Sequence, residues 1–356
     1  MKTANRHLDD FVYSVRGKNS SVYILKPVIT EFRHAEKKYF CLIPYSNPTV
    51  RKVACFFYEM EKAENFVLDS ATKSPRHEII LEAATSKKDY LQKLVYLKTQ
   101  IQKGNIYEIN YCMEFFSENA EIDPVSVYHK LNDLTKAPYS SLVKTGDDYI
   151  ISASPELFLK KENDTLYTKP IKGTAKRGKT KEEDTTIKFN LFHNVKERTE
   201  NVMAVDVARN DLSVIAKRGS VKVNKLYNIE TYETVHQMVS TVSCELKDNL
   251  KFEEIISSTF PMASMTGAPK ISAMKFIDET ENFERNYYSG AMGIIDEKNN
   301  FELSVNIRSI FYNRKTKRLS IAVGSAITHL CDPEKEYEEC LLKAEALLKA
   351  LNARIG

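Results

Sequence analysis

Apolar residues recur every three or four positions in several segments of the chain, and this spacing predicts amphipathic helices. One predicted helix is capped by Ser86 and ends near Gly104. Two others begin at Asp123-Pro124 and Asp332-Pro333, because a capping residue followed by proline is a common helix start. A longer helical pattern covers residues 181–215.

Between the helices, apolar and polar residues alternate in the pattern of β-strands. Residues 142–159 and 219–246 resemble hairpins, and residues 301–323 resemble further strands. The lysine-rich segment 160–181 is expected to be an exposed basic loop. Linked hairpins without a regular strand–helix–strand rhythm favour an α+β fold with antiparallel sheets.

The domain organisation follows from the lack of any Pro/Gly/Ser-rich linker. One large domain is therefore expected. Residues 1–85, which mix short apolar runs with turn signals, are interpreted as strands packed on a core formed by residues 86–356.

Composition narrows the class of protein. The 356 residues are 42% hydrophobic and 28% charged, which is typical of globular proteins and excludes disordered and fibrous chains. A net charge of +4 is too small to indicate nucleic-acid binding. The six cysteines show no metal-binding spacing, and neither a signal peptide nor a membrane-spanning run is evident. We therefore expect a cytoplasmic protein with reduced thiols.

Two pairs of glutamates have the spacing i,i+3, which places both members of a pair on one helix face. They are Glu197 with Glu200 and Glu336 with Glu339. Two such faces brought together would form an oxygen-rich site for Mg²⁺. On spacing alone, two solvated surface faces are the commoner outcome.

Four further positions are candidates for chemistry, and each also has an ordinary structural interpretation. Lys172, in PIKGT, is a nucleophile if its pKa is lowered, or a loop lysine. Glu156, in SPE, is a general acid or a strand-edge residue. Arg308 suits bidentate carboxylate binding or a structural ion pair, and Gly267 precedes a proline-led helix that could bind an anion.

The order and joint occurrence of these motifs are more specific than any one of them. From about residue 100 to 350 the chain resembles the chorismate-utilising family, which includes anthranilate synthase component I, aminodeoxychorismate synthase component I, isochorismate synthases and salicylate synthases. The matching blocks are GNIYEINYC, SASPELFL, PIKGT, KERTENVMAVDVARNDL, YETVHQMVSTV, FPMASMTGAPKISAMKFIDE, RNYYSGAMG, FELSVNIRSI, AVGSAIT and EYEECLLKAE.

The resemblance implies a fold and a metal site. The fold would be a single large domain in which two antiparallel sheets stack face to face and helices cover the outside. Glu200 and Glu339 match the family's Mg²⁺ ligands, while Glu197 and Glu336 match its nearby acidic partners. The metal would bind the ring carboxylate of chorismate, which is a dianion.

The resemblance also assigns the remaining site residues. Glu156 matches the general acid that protonates the departing ring hydroxyl. The substrate-binding positions are Arg308, Lys343, Thr174, Gly267, Gly324 and Ser325.

Lys172 discriminates between members of the family. Many aminodeoxychorismate synthases resemble PIKGT here, whereas anthranilate synthases resemble PIAGT. The resemblance implies that Lys172 attacks the ring and that ammonia then displaces it, which gives 4-amino-4-deoxychorismate for p-aminobenzoate and folate synthesis. Basic neighbours in the loop would favour the neutral amine. Anthranilate synthase component I, which forms anthranilate and pyruvate, is the alternative.

Two departures from the family pattern and two partner expectations complete the prediction. Glu108 stands in a block that reads YQVNL in the amino-transfer enzymes, at the position where isochorismate synthases have a lysine base. Gln237, next to His236, stands where many members have histidine. No amidotransferase or lyase signature is found, so ammonia is expected from solution or a glutamine amidotransferase subunit, and a separate aminodeoxychorismate lyase is expected downstream.

Overall fold

The computed structural model describes residues 10–16, 19–28, 37–47, 52–63 and 78–356. The helices in this part of the chain are α1 (Lys87–Gln102), α2 (Pro124–Thr135), α3 (Lys181–His193), α4 (Val195–Ile215), α5 (Phe252–Thr259), α6 (Lys270–Thr280) and α7 (Pro333–Leu351). The strands are β1 (Phe11–Arg16), β2 (Asn19–Pro27), β3 (Tyr39–Ile43), β4 (Phe56–Lys62), β5 (Ile79–Ala83), β6 (Glu108–Ser117), β7 (Tyr139–Thr145), β8 (Asp148–Ser154), β9 (Leu157–Glu162), β10 (Thr165–Thr168), β11 (Ile171–Lys176), β12 (Lys222–Thr231), β13 (Val235–Glu245), β14 (Gly267–Ala268), β15 (Ala291–Ile295), β16 (Phe301–Val305), β17 (Ser309–Asn313), β18 (Leu319–Ile327) and β19 (Ala353–Ile355).

The predicted helix starts are confirmed by their capping contacts. The side chain of Ser86 accepts the Asp89 N–H at the start of α1, and Asp123 and Asp332 cap α2 and α7 in the same way. The long helical pattern of residues 181–215 is interrupted once, at Asn194, whose backbone is extended and whose side chain caps α4. That break fixes the direction of α4, which carries two of the predicted metal ligands.

The strands pair along one continuous path. It runs β19–β5–β6–β18–β17–β8–β7–β1–β2–β4–β3–β15–β16–β9–β10–β13–β12, with β14 beside β6 and β11 beside β13. Among the described strands, every pair is antiparallel except β5 with β19. The α+β class is therefore confirmed, and β1, β2 and β4 join the two halves of the sheet.

Apolar side chains from both halves meet between them. Val143 and Ile150 of β7 and β8 pack in one cluster with Leu42 of β3 and Met292 of β15. On the opposite face of the first half, α1, α2 and α7 cover β6, β17 and β18. In the second half, α4 and α5 pack against β13 and β16. This is the stacked arrangement with outer helices that the family resemblance implies.

The prediction of a basic loop over residues 160–181 is wrong, because this segment contains the end of β9, β10 and β11. Leu166 is fully buried between paired strands, although the many lysines around it suggested solvent exposure. A strand needs apolar residues on one face only, so the other face can carry lysines. Lys172 therefore lies on a strand, and its spatial neighbours differ from its neighbours in sequence.

The N-terminal strands are hydrogen-bonded into the same sheet. β1 pairs with β7 and β3 pairs with β15. The division at residue 85 stays a prediction. Within the described residues, no helix combines the length and apolar character needed to cross a lipid bilayer.

Candidate active site

The four predicted carboxylates lie around a lysine that joins α4 to α7. The Nζ atom of Lys196 lies 2.8 Å from Glu336 Oε1, 3.4 Å from Glu339 Oε2 and 3.8 Å from Glu200 Oε1. Glu197 follows Lys196 directly on α4, and its backbone N–H is capped by Asn194. The two i,i+3 pairs therefore face each other across the ammonium group.

Burial raises the pKa of Glu200 and of Glu339, while nearby ammonium groups lower both pKa values. The net result differs between the two carboxyls. Glu200 is almost completely buried, and this raises its pKa to about 8 although Lys172 and Lys196 act in the other direction. At Glu339 burial also raises the pKa, but the ammonium groups of Lys343 and Lys196 outweigh it, so the pKa falls to about 2. Glu339 is therefore an anion at neutral pH, whereas at Glu200 the effect of burial outweighs the charges of Lys172 and Lys196.

The chemistry of this carboxylate cluster fits a divalent metal ion. All of its donors are oxygens, which Mg²⁺ prefers. Within the described part of the chain, Glu200 Oε1 and Glu336 Oε2 are buried without a hydrogen-bond partner. In the described residues, no group of three or more Asp, Glu, His or Cys side chains lies close enough together to hold a metal ion. The Lys196 ammonium lies between the carboxylates of α4 and α7.

Arg308 and Lys343 lie beside the carboxylate cluster. Lys343 binds Glu339 Oε1 at 2.7 Å and the carbonyl oxygen of Gly324 at 2.7 Å. Arg308, at a left-handed φ of 53°, donates to the Lys343 carbonyl oxygen at 3.1 Å. Burial lowers the pKa of the arginine, and Glu339 partly restores it. Two cations are thus held next to the acidic pair of α7, and such groups suit binding of a carboxylate group on a ligand.

Lys172 of β11 is surrounded by carboxylates. Its Nζ atom lies 2.7 Å from Glu108 Oε1, and both side chains are buried. Burial alone would lower the pKa of Lys172, but Glu108, Glu200 and Glu156 together raise it above its usual value. The expectation that basic neighbours favour a neutral amine is therefore wrong, because β6 and α4 place acidic groups around Lys172.

Glu156 has the properties of a general acid. It lies between β8 and β9 and is almost completely buried. Burial raises its pKa to about 7, although the Ser264 hydroxyl, the charge of Lys172 and the Ile171 backbone each lower it. A carboxyl with this pKa is partly protonated at neutral pH and can donate a proton.

Two glycines have steric reasons for their positions. Gly173 has a φ of +84°, and a Cβ there would lie 3.0 Å from Glu197 Oε2. At Gly267 a Cβ would lie 2.2 Å from the carbonyl oxygen of Glu108. The first glycine lets β11 approach α4, and the second lets β14 pair closely with β6.

The remaining predicted substrate ligands are placed differently. Thr174 is exposed on β11, one residue beyond Gly173. Ser325 is fully buried, and its hydroxyl lies 3.1 Å from the Tyr90 hydroxyl, so its side chain points toward α1. Gly324 is buried against Cys112. A substrate-binding role for these three residues stays a prediction.

Sequence reasoning did not identify two residues that organise the site. Lys196 is one helical turn before Glu200, and that i,i+4 spacing was the available signal. Glu108 stood out only as a departure from the family pattern. Of the other departures, His236 binds Asp184 and Thr231, whereas the Gln237 Oε1 atom is buried without a partner among the described residues.

The structure thus combines one α+β fold with a candidate site made of a buried lysine, a buried acid and a cluster of four carboxyls. The profile of the chorismate binding enzyme family matches residues 22–349. The chain belongs to this family.

Named relatives within the family divide between two activities. The chain is 36% identical to anthranilate synthase component 1 of Acetivibrio thermocellus, over 81% of this chain and 58% of that protein. It is also 36% identical to aminodeoxychorismate synthase component 1 of Bacillus subtilis (strain 168), over 74% of this chain and 55% of that protein. The chain thus spans a little over half the length of these two relatives.

A solved structure supports the fold independently. Anthranilate synthase component I from Streptococcus pneumoniae TIGR4 superimposes with a TM-score of 0.75 and 19% sequence identity, over 95% of this chain and 90% of that chain. At this identity the likeness concerns the fold alone.

Proposed function

We propose that this chain catalyses the Mg²⁺-dependent amination of chorismate to 4-amino-4-deoxychorismate, as a cytoplasmic aminodeoxychorismate synthase component I. The observation that carries the proposal is the buried amine of Lys172, which lies among Glu108, Glu156 and Glu200. In its neutral form, a lysine amine is a nucleophile that can form a covalent intermediate.

Substrate binding follows from the two charged regions of the site. Glu200 and Glu339 would hold Mg²⁺, with Glu197 and Glu336 close by. When bound, the metal supplies positive charge for the ring carboxylate of chorismate. Arg308 and Lys343 would hold the second carboxylate, because both are buried or half-buried cations beside α7.

The proposed chemistry uses two groups of the protein. The neutral amine of Lys172 forms a bond with the ring carbon adjacent to the carboxylate-bearing carbon. The ring double bonds shift, and the hydroxyl leaves as water with a proton from Glu156. Ammonia then attacks the former hydroxyl carbon, the double bonds shift back, and the lysine amine is released.

The proposed partners follow from the ammonia requirement and from the product. Ammonia comes from solution or from a glutamine amidotransferase subunit. A separate aminodeoxychorismate lyase would convert the product to p-aminobenzoate for folate synthesis. Several relatives are named aminodeoxychorismate synthases, which supports the proposed amination.

Anthranilate synthesis is the second candidate, because a relative of the same identity is named anthranilate synthase component 1. A product assay separates the two. Purified chain is incubated with chorismate, MgCl₂ and ammonium, and the products are identified by mass spectrometry, with anthranilate followed by its fluorescence. We expect 4-amino-4-deoxychorismate. Anthranilate and pyruvate as sole products would refute the proposal.

Substitution of the nucleophile provides the matched test. Lys172→Ala should abolish the lysine-dependent route, while Lys169→Ala, on a half-exposed lysine just before β11, should retain activity. Equal loss in both variants would indicate a general effect on β11 and not a specific role of Lys172.

A further inference from the structure

Lys172 cannot act as a nucleophile in the protonation state that its surroundings favour. Only the neutral amine has a free electron pair, yet four carboxyl groups surround the ammonium in this site: Glu108 from β6, Glu156 from the β8–β9 connection, and Glu197 and Glu200 from α4. The amine therefore needs a proton acceptor within the site.

The four neighbouring carboxyls differ in their availability for that proton. Glu156 is the proposed proton donor to the leaving hydroxyl, so it must begin the reaction protonated. Glu200 is a proposed metal ligand, and Glu197 belongs to the same proposed metal site. Glu108 has neither role, and its Oε1 atom lies 2.7 Å from the Lys172 amine, within hydrogen-bond distance.

The backbone around Glu108 holds this carboxylate in place. Glu108 is the first residue of β6, and it pairs with Ala268 of β14. The glycine at position 267 allows β14 to lie against the Glu108 carbonyl oxygen. Glu108 is almost completely buried, so water cannot readily replace its contact with Lys172.

We propose that Glu108 is a positioning residue that holds the Lys172 side chain and accepts its proton before the attack on chorismate. The N–H bond of the ammonium breaks and an O–H bond forms on Glu108, which leaves a neutral amine and a carboxylic acid. When ammonia displaces the lysine, the released amine takes the proton back from Glu108. This inference rests on the proposed amination.

The test compares Glu108→Gln with Glu108→Asp. Glutamine nearly preserves the shape of the side chain but accepts no proton, so Lys172 must lose its proton to solvent. We expect kcat at pH 7 to fall about 100-fold, while the KM for chorismate stays within about twofold. The ratio of variant to wild-type kcat should rise with pH between 6 and 9, because solvent removes the proton more readily at high pH.

Glu108→Asp keeps a proton acceptor at a longer distance. It should lose part of kcat but retain the pH profile of the wild type, which also covers the case in which the glutamine variant fails to fold. A constant ratio of variant to wild-type kcat across this pH range would overturn the proposal, as would a shifted profile for the aspartate variant. Wild-type enzyme that forms no aminodeoxychorismate would instead refute the proposed function.

Discussion

At the scale of single residues, the carboxyls of the candidate site differ in protonation state because their surroundings differ. Glu156, Glu200 and Glu339 have pKa values of about 7, 8 and 2, although all three are glutamates. Burial raises the first two, and adjacent ammonium groups lower the third. Glu156 is thereby suited to donate a proton, and Glu339 to keep a constant negative charge.

The pH dependence of the reaction should report the protonation of Glu156. Because a general acid must be protonated, wild-type kcat/KM should fall as pH rises above about 7. Glu156→Gln should lose about 100-fold or more of kcat and lack this decrease. The measurement is a pH profile between pH 5.5 and 8.5.

An exposed glutamate provides the control for Glu156. Glu162→Gln, at the end of β9, should keep both the wild-type rate and its pH profile. If the decrease above pH 7 persisted in Glu156→Gln, another group would be the proton donor.

The sequence could suggest candidate site residues, but not their protonation. Spacing and the family resemblance indicated Glu156, Lys172 and the i,i+3 glutamates, and the structure brings these side chains close together; their roles stay a prediction. The expected environment of Lys172 was wrong, because the charges that surround it come from β6 and α4, 64 residues away in the case of Glu108. Pairing of distant segments is not visible in a local pattern.

At the scale of elements, Lys196 links the acidic faces of α4 and α7. We expect Lys196→Met to destabilise the metal-free protein by about 1 kcal/mol, since the lysine is partly exposed and solvent screens its charge. The variant should gain more thermal stability from Mg²⁺ than the wild type, because the ammonium no longer competes for the carboxylates. Melting temperatures with and without MgCl₂ measure both effects.

The control for this prediction is Lys335→Met, which removes an exposed lysine from the first turn of α7. It should change neither the metal-free melting temperature nor the response to Mg²⁺. An identical Mg²⁺ response in Lys196→Met and wild type would contradict competition between the ammonium and the metal.

A second contact between elements holds α6 against α4. Lys270 binds Asp211 at 2.6 Å and the carbonyl oxygens of Thr259 and Pro261 at 3.0 and 2.7 Å, in a largely buried position. Lys270→Met should cost about 3 kcal/mol or more, because the buried Asp211 carboxylate loses its partner. Denaturant unfolding measures the loss.

Two further variants test this explanation. Lys275→Met, on an exposed position of the same helix, should change stability by less than about 0.5 kcal/mol. Adding Asp211→Asn to Lys270→Met should recover part of the loss, since it removes the unpaired charge. Failure of the second substitution to recover any stability would show that packing, not charge, determines the effect.

Elements were predictable where one local signal determined them. The caps at Ser86, Asp123 and Asp332 indicated helix starts that the structure confirms. The end of β9 and the strands β10 and β11 were missed because their lysines obscured the buried Leu166 of β10. Strand pairing depends on contacts with other segments, so the charge content of one segment does not predict whether it forms a strand.

At the scale of the whole molecule, the site is formed where the two halves of the sheet meet. α7 packs on β18 of the first half, whereas α4 packs on β13 of the second. Glu108 and Lys172 likewise come from β6 and β11, which belong to opposite halves. A ligand held by groups from both halves should therefore stabilise the whole fold, and not one element.

Thermal unfolding with metal and chorismate tests this coupling. Chorismate is a dianion, so we expect the carboxylate cluster to repel it unless Mg²⁺ is bound. At 100-fold above its dissociation constant each ligand adds about 2.7 kcal/mol, so the two together should add about 5.4 kcal/mol, whereas chorismate with EDTA should add almost nothing. By thermodynamic reciprocity, chorismate should tighten Mg²⁺ binding by the factor by which Mg²⁺ tightens chorismate binding, which calorimetry can measure.

NaCl at matched ionic strength is the control. Equal stabilisation by chorismate with and without Mg²⁺ would show that the cations Arg308 and Lys343 suffice and that the metal does not couple to the substrate.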